Sequence, residues 1–476
     1  MTNDDSTATN LFLQGNFGPV REEITADNLT VIGKLPPEMD GMFVRNGPNK
    51  QFPPIKNYHV FEGDGMLHGV RIREGRASYR NRYIRTPYWK AENAAGRALF
   101  GSFLDRPNLA MLFGVMRNAV RGLPMVKNTA NTALVCHDGR LLALWEGGEP
   151  HEIKVPELET VGAYTYGGKL KHQFTAHPKI DPVTGEMLFY GYSMFKPSVQ
   201  YGVVNAKGEI ARITSIDIPR PIIMHDFAIT PRYTIFLDVP LTVSIGRLLR
   251  GQPLLKFEPE RGTRIGVLPR YGRGQDIKWF EVSSCYVFHT LNAYESDDEV
   301  VLLACRTKTF PDSFFMPPTG KLGDAPISQE YAPVMYRWRL NLKSGTAREE
   351  AVDDVPTDFP RVNDGLVGSE TRYGYAFNVH EYNELLKYDF ERGRSERHCH
   401  GKMRIGGEGV FVPRTNARTE DDGWLVSYVH DEGDGTSELT VIEVRDFSAP
   451  PVARVRIPAR VPYGFHGAWI PGEMLS

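Results

Sequence analysis

The sequence predicts an all-β chain made of many short antiparallel strands, and three observations carry that expectation. Strand-like runs recur from about Ile32 onward. Among them are TALVCHDGRLLALWE (132–146), GEMLFYGYS (185–193), RYTIFLDVP (232–240), EVVLLACR (299–306), GYAFNVHEY (374–382) and GWLVSYVHD (423–431). Turn signals separate them, such as His137-Asp138-Gly139, Asp181-Pro182, Thr184-Gly185 and Asp422-Gly423. Asp, Gly and Pro in such positions supply the backbone angles that tight turns need. Helical periodicity is scarce, and 46 Gly and 34 Pro in 476 residues fit frequent turns.

Residues 1–30 open with MTNDDSTATN, polar and acidic, and are expected as a flexible or extended segment. They lack the basic and apolar regions of a secretory signal. Residues 31–476 are expected as one domain. A propeller accommodates them: seven four-stranded blades would average roughly 65 residues each, an ordinary blade plus loops. An eight-stranded barrel would leave far too much chain unused. No WD or kelch repeat is present, so the blade number does not follow from the residues themselves.

Two stretches depart from the strand pattern. Residues 94–121 (AAGRALFGSFLDRPNLAMLFGVMRNAVR) cluster apolar residues with arginines among them, as does VPLTVSIGRLLRGQPLLKF (239–257). Both read as amphipathic helices capping the domain. The first has a second reading, in which Leu109, Leu112, Phe113 and Met116 form an apolar patch that dips into a membrane surface.

Composition excludes several classes. The chain carries 56 Lys+Arg and 58 Asp+Glu, a net charge of −2, so no nucleic-acid partner is expected. No protein partner is implied either. Four cysteines, with no CxxC pair, suit a reducing compartment. No apolar run approaches the 18 or more residues of a spanning helix. The expected location is the cytoplasm, with peripheral membrane attachment left open. GDGMLHG and RNGPN are loop signals without the context of a phosphate loop. No G-x-S-x-G supports a serine hydrolase.

The chemistry rests on four histidines: His177 (FTAHPKID), His225 (IIMHDFAIT), His289 (YVFHTLNAY) and His466 (PYGFHGAW). Far more chain separates them than one helix or loop holds. Only a closed, many-stranded fold points all four at one centre. There, four neutral imidazoles hold a divalent transition metal with positions left open, and without a carboxylate ligand the cation keeps its full charge. Glu146 follows the apolar run LLALW, so it is expected to be buried and paired. His398 and His400 form an HxH pair in a charged stretch, which suits only adventitious metal binding.

These four segments, with RNGPNKQF (45–52), FEGDGMLHG (61–69), NTANTALV (128–135), AHPKIDPVTGEM (176–187), VFHTLNAYE (287–295), GEGVFVPR (407–414) and YGFHGAW (463–469), resemble the carotenoid cleavage oxygenase family. The likeness runs from about Leu35 to the C-terminus and leans toward cyanobacterial and bacterial apocarotenoid oxygenases. It implies a seven-bladed β-propeller with a dome of helices and loops over one face. It also implies Fe(II) on the propeller axis, held by His177, His225, His289 and His466, with O2 as co-substrate. Glu146, Glu370 and Glu408 match the family's glutamates that receive the second N–H of the ligand rings. Thr132 matches a threonine whose methyl crowds an open iron position, and Trp145 and Phe288 are candidates for the substrate tunnel.

The implied reaction is cleavage of a conjugated C=C bond of a carotenoid or apocarotenoid by O2, giving two aldehydes. The 15,15′ and 9,10 bonds both stay open, with a weak lean to the central bond. Stilbene-cleaving relatives place a lysine directly before the first glutamate. Trp145 stands there instead, which makes a stilbene substrate the alternative. A retinoid isomerase of the same fold, a zinc hydrolase, and a non-enzymatic ligand-binding propeller with a vestigial metal site are the remaining readings.

Overall fold

A computed structural model describes residues 10–475, apart from 104, 106–113, 115, 117, 121–125, 194–195, 251 and 311–330. The described residues form an all-β protein with few helices. Its strands group into antiparallel sheets of five, four, four, two, six, seven and four strands. The expected turns have local causes. Asp138 and Gly139, both at positive φ (49° and 68°), join Ala133–His137 to Arg140–Leu144 as a two-residue hairpin. The Asp181 carboxylate accepts from the N–H groups of Val183 (2.8 Å) and Thr184 (3.1 Å), closing the turn before Met187–Tyr192.

Strands in the middle of sheets are buried on both faces, as in Gly41–Pro48 and Met187–Tyr192. Strands at or next to a sheet edge, such as Ile210–Asp217 and Arg76–Tyr83, alternate between buried and more exposed residues. Large rings fill the space between sheets, with Phe227, Tyr286 and Trp338 in one cluster and Phe43, Trp424 and Tyr428 in another. The two ends of the chain are tied together by pairing. Gly467–Pro471 pairs with Gly41–Pro48, and Val31–Gly33 pairs with Ala453–Ile457. The 15-residue strand Ala347–Arg361 pairs first with Val334–Asn341 and then with Tyr373–Asn378, so one strand serves two stretches of sheet.

Three expectations meet different outcomes. The N-terminal segment is docked from Asn10 on: Asn10 donates to the Tyr58 carbonyl (2.9 Å), Asn16 to the Val461 carbonyl (3.1 Å), and Thr25–Ala26 pairs with Arg76–Tyr83. Residues 239–257 are mostly not helical. Leu241–Val243 and Leu255–Phe257 form a hairpin, and only Ile245–Leu249 between them is helix, capped by Ser244. The β-branched and aromatic residues Val243 and Phe257 are buried as strand residues, and that burial outweighs the helical spacing. Near the other stretch, the helix Pro87–Ala95 begins at the Thr86 cap and stops at Gly96, which is left-handed. Leu109, Leu112 and Phe113 lie outside the described residues.

Candidate metal centre

Each of the four histidines stands on, or directly before, a terminal strand of a different sheet. His177 precedes Lys179–Ile180, His225 precedes Ala228–Ile229, His289 lies in Tyr286–Ser296, and His466 precedes Gly467–Pro471. Terminal strands leave backbone unpaired, so the chain there is free to turn a side chain out of the ladder. At His289 the register shifts between Val287 and Thr290, a bulge that re-aims the ring. One potential ligand atom from each histidine lies within 4.8 Å of the others. The His177 and His225 Nε2 atoms are 3.0 Å apart.

The opposite ring nitrogens explain that approach. His225 Nδ1 is 2.7 Å from Glu146 Oε2, His289 Nδ1 is 2.7 Å from Asp358 Oδ1, and His466 Nδ1 is 2.9 Å from Glu408 Oε1. A carboxylate accepts, so each of these Nδ1 atoms carries the proton and each Nε2 presents a lone pair. Nε2 lone pairs turned toward one small volume repel one another unless a cation sits among them. The buried Nε2 of His289 has no hydrogen-bond partner among the described residues. This donor set fits a divalent transition metal: neutral imidazoles, each of three oriented by a carboxylate behind it.

The electrostatics favour neutral imidazoles at His177 and His466. Burial, then the neighbouring His466, His225 and His289 rings, hold His177 well below the ordinary histidine range. Burial also lowers His466, against the pull of Glu408. At His225 burial acts downward, but Glu146 and the acids near it move the net shift upward. Burial raises Glu408, yet His466 and Arg361 outweigh it and the group stays below the usual carboxylate range.

The sequence-predicted residues divide as follows. His177, His225, His289 and His466 come together, with Glu146 and Glu408 behind two of them. Glu370 does not join them. It is exposed, in the connection before Tyr373–Asn378, and Asp358 is the acid against His289. The reason lies in the long strand: between Asp358 and Arg361 its register shifts, with Phe359 at φ 54°, and this places the shorter Asp358 carboxylate at the ring. Thr132 touches the centre through its backbone, its carbonyl accepting from His466 N–H at 3.2 Å. Phe288 packs edge-on against His225 with centroids 5.5 Å apart. Trp145 is half-buried beside Glu146.

Several contributors were missed. Phe359 lies against the His289 and His466 rings at 5.1 and 5.2 Å. Tyr192 donates to Glu146 Oε1 at 3.0 Å, fixing the acid behind His225. Asp358 had a weak signal, as the acid in the apolar, proline-flanked run VPTDFP.

An all-β fold with a largely enclosed four-histidine centre, three of its rings oriented by carboxylates, defines a class of protein whose site is compatible with a metal ion. The sequence model of the family described as retinal pigment epithelial membrane protein (RPE65) matches residues 17–471, and the chain belongs to that family. It is 40% identical over 496 residues to the carotenoid 9,10(9',10')-cleavage dioxygenase 1 of Arabidopsis thaliana, covering 98% of this chain and 90% of the relative. Among solved structures it is similar to the lignostilbene dioxygenase of Pseudomonas brassicacearum. The TM-score is 0.86 at 31% identity, covering 97% of this chain and 98% of the other. A Synechocystis apocarotenoid oxygenase gives a TM-score of 0.85 at 27% identity, covering 95% and 97%.

Proposed function

We propose that this chain is a non-haem Fe(II) oxygenase that cleaves a conjugated C=C bond of a carotenoid or apocarotenoid with O2, giving two carbonyl products. The observation that carries the reading is the cluster of four histidine ligand atoms within 4.8 Å, in a chain 40% identical to a carotenoid-cleaving dioxygenase. His177, His225, His289 and His466 would hold the iron. Bound there, ferrous iron supplies the one-electron chemistry by which dioxygen reacts with a polyene despite the spin barrier.

The chain's own residues do the rest. Glu146, Asp358 and Glu408 keep the Nδ1 protons in place, so three rings present a lone pair and a fixed orientation. Their three negative charges offset the cation, and Arg361, 3.8 Å from Glu408, makes up the difference. Phe288 and Phe359 wall the rings with apolar surface and exclude water. The bond cut is then set by how far a rigid polyene slides along that apolar wall, an effect of position rather than acid–base chemistry.

The finer readings rest on narrower support. Cleavage at the 9,10(9',10') bond is favoured over the central bond, because plant relatives so named share 38–40% identity with this chain. Seven blades follow if Ala347–Arg361 is counted in two of them and the two-stranded hairpin is set aside. The iron would then sit on the axis where the terminal strands meet. No helix among the described residues is long and apolar enough to cross a membrane. A peripheral contact is supported by Phe103, Met116, Val120 and Val126, exposed apolar side chains near one another in the sequence. Stilbene cleavage is the second reading, favoured by the likeness to the lignostilbene dioxygenase, with Trp145 counting against it.

The test is incubation of iron-loaded protein with a carotenoid, an apocarotenal and a hydroxystilbene. Product masses and oxygen uptake are the readouts. A methyl ketone from the methyl-bearing C9 and an aldehyde from C10, of the lengths expected for 9,10 scission, are the predicted result. Cleavage of the stilbene alone, or no oxygen uptake with any substrate, would sink the proposal.

A further inference from the structure

Asp226 is 1% exposed, and four donors surround its two oxygens. Oδ1 accepts from Lys179 Nζ at 2.8 Å and from the Phe227 N–H at 2.7 Å. Oδ2 accepts from the Thr290 N–H at 2.8 Å and lies 2.9 Å from the Thr290 hydroxyl, whose single proton is shared with the Phe227 carbonyl, also 2.9 Å away. Lys179 comes two residues after His177, Asp226 one residue after His225, and Thr290 one residue after His289. One carboxylate therefore joins the three segments that carry those histidines.

We propose that Asp226 is a positioning residue that holds His177, His225 and His289 in mutual register and thereby sets metal affinity and coordination geometry. The inference rests on the metal reading above. The three segments belong to three different sheets, and no strand pairing among the described residues links those sheets at this level. Packing alone would let each segment slide by a few tenths of an ångström. A buried carboxylate with both oxygens saturated resists this, because every displacement leaves a donor unpaired in a dry site. His466 is held separately: Glu408 accepts from its ring and from the Gly467 N–H at 2.7 Å. Asp226 thus does for three ligand segments what Glu408 does for the fourth.

The test compares metal-free wild type, Asp226→Asn, Thr290→Val and Lys387→Met. Lys387 is buried and pairs with Asp421 at 2.9 Å, away from all four histidine segments. Each protein is titrated with Co(II) against a competing chelator, the visible spectrum is recorded, and thermal unfolding of the metal-free form is followed in parallel. In Asp226→Asn an amide NH2 replaces an acceptor and faces other donors. Its Co(II) affinity is expected to fall about ten- to hundredfold, with altered visible bands. Thr290→Val should shift both in the same direction by a smaller factor. Lys387→Met should lose thermal stability and keep affinity and bands. Wild-type affinity and spectrum in Asp226→Asn would overturn the proposal, as would an equal loss in Lys387→Met. If Asp226→Asn does not fold, Thr290→Val decides, and unchanged affinity and bands there overturn it. A wild type that takes up no Co(II) overturns the metal reading instead, and this inference with it.

Discussion

Two regions of this molecule bury several charged or titratable groups, and they settle them in opposite ways. At the helix Pro87–Ala95, Lys127 lies between Asp64 (2.5 Å) and Glu92 (2.6 Å), with all three side chains buried. Each group there has its partner within the protein. At the histidine cluster, the carboxylates are satisfied by Nδ1 protons, and the charge of the cluster is left negative while Nε2 lone pairs crowd one volume. The first arrangement is complete as it stands and stabilises the fold. The second, on the metal reading proposed above, is completed by a cation. Burial of charge is common to both, so burial alone does not mark a functional site. What marks it is acceptors that converge without a donor.

The comparison breaks most sharply by removing a ligand. His289→Ala should abolish iron retention and oxygen-dependent cleavage, a loss beyond a thousandfold, while leaving the folded state intact. Metal analysis and oxygen uptake check the first part, and unfolding of the metal-free form checks the second. Asp358 would then be a buried acid without its ring partner, so a modest fall in stability is expected. Full iron content in His289→Ala would mean that the four rings do not form one site.

The converse experiment is Lys127→Met, which strands two buried carboxylates. Removing one partner of a buried ion pair costs about 3–5 kcal/mol, and the lower end is expected because Lys50 stays near Asp64. Iron affinity should not move. The pH dependence follows from the shifts. Burial pushes Asp64 up, but Lys127 and Lys50 bring it below its ordinary value, so its contribution is present above that value and is lost as pH falls through the depressed one. Burial pushes Lys127 down, but Asp64 and Glu92 bring it above its ordinary value, so its contribution holds below that value and is lost as pH rises through the raised one. The Asp64–Lys127 pair therefore stabilises evenly between roughly pH 4 and 10. In Lys127→Met the acids are disfavoured as anions, and the gap to wild type should close on acidification. Urea midpoints of both proteins across pH measure this, and a gap constant down to pH 3 would contradict it.

A smaller effect separates Asp358, the acid against His289, from Glu370, the acid the resemblance implied for the ligand rings. Asp358→Asn keeps the shape and removes the charge behind the ring, and metal affinity should fall about ten- to hundredfold. Glu370→Gln should change nothing measurable by chelator competition. If Glu370→Gln were the damaging substitution, the register of the long strand would differ from the one described.

That pair also shows what the sequence could reveal. The all-β character and the turns were legible because Asp138-Gly139 and Asp181-Pro182 act through backbone angles and local hydrogen bonds, which need no distant partner. The four histidines stood out by their motifs, and the structure gathers those same four. Glu146 was legible because an acid after an apolar run must find a partner; it is half-buried, and His225 is that partner. Asp358 was not, because its role depends on a register shift in a strand paired to both sides. Nor were the links from Asp226 to Lys179 and Thr290, which join positions on three sheets. The segment 239–257 misled for a related reason: arginines at helical spacing mimic an amphipathic face, and only the pairing of Leu241–Val243 with Leu255–Phe257 reveals strands.

The smallest effect tests whether the shift at Asp358 stores strain. Phe359 sits at φ 54°, a left-handed conformation that costs an L-residue roughly 1–2 kcal/mol and glycine almost nothing. Its ring meanwhile covers His289 and His466. Phe359→Ala and Phe359→Gly both remove the ring, so their difference isolates the backbone. Glycine gains from relaxed strain and loses through its greater freedom when unfolded, and at a positive φ the first term wins. Phe359→Gly should therefore be more stable than Phe359→Ala by about 1 kcal/mol or less, read from urea midpoints at equal slope. Both variants should lose the same amount of iron affinity, since both expose the two rings to water. An alanine variant as stable as the glycine one would mean that the bend places Asp358 without strain. Unequal iron affinities would mean that the backbone angle itself, and not the ring it carries, holds the acid against His289.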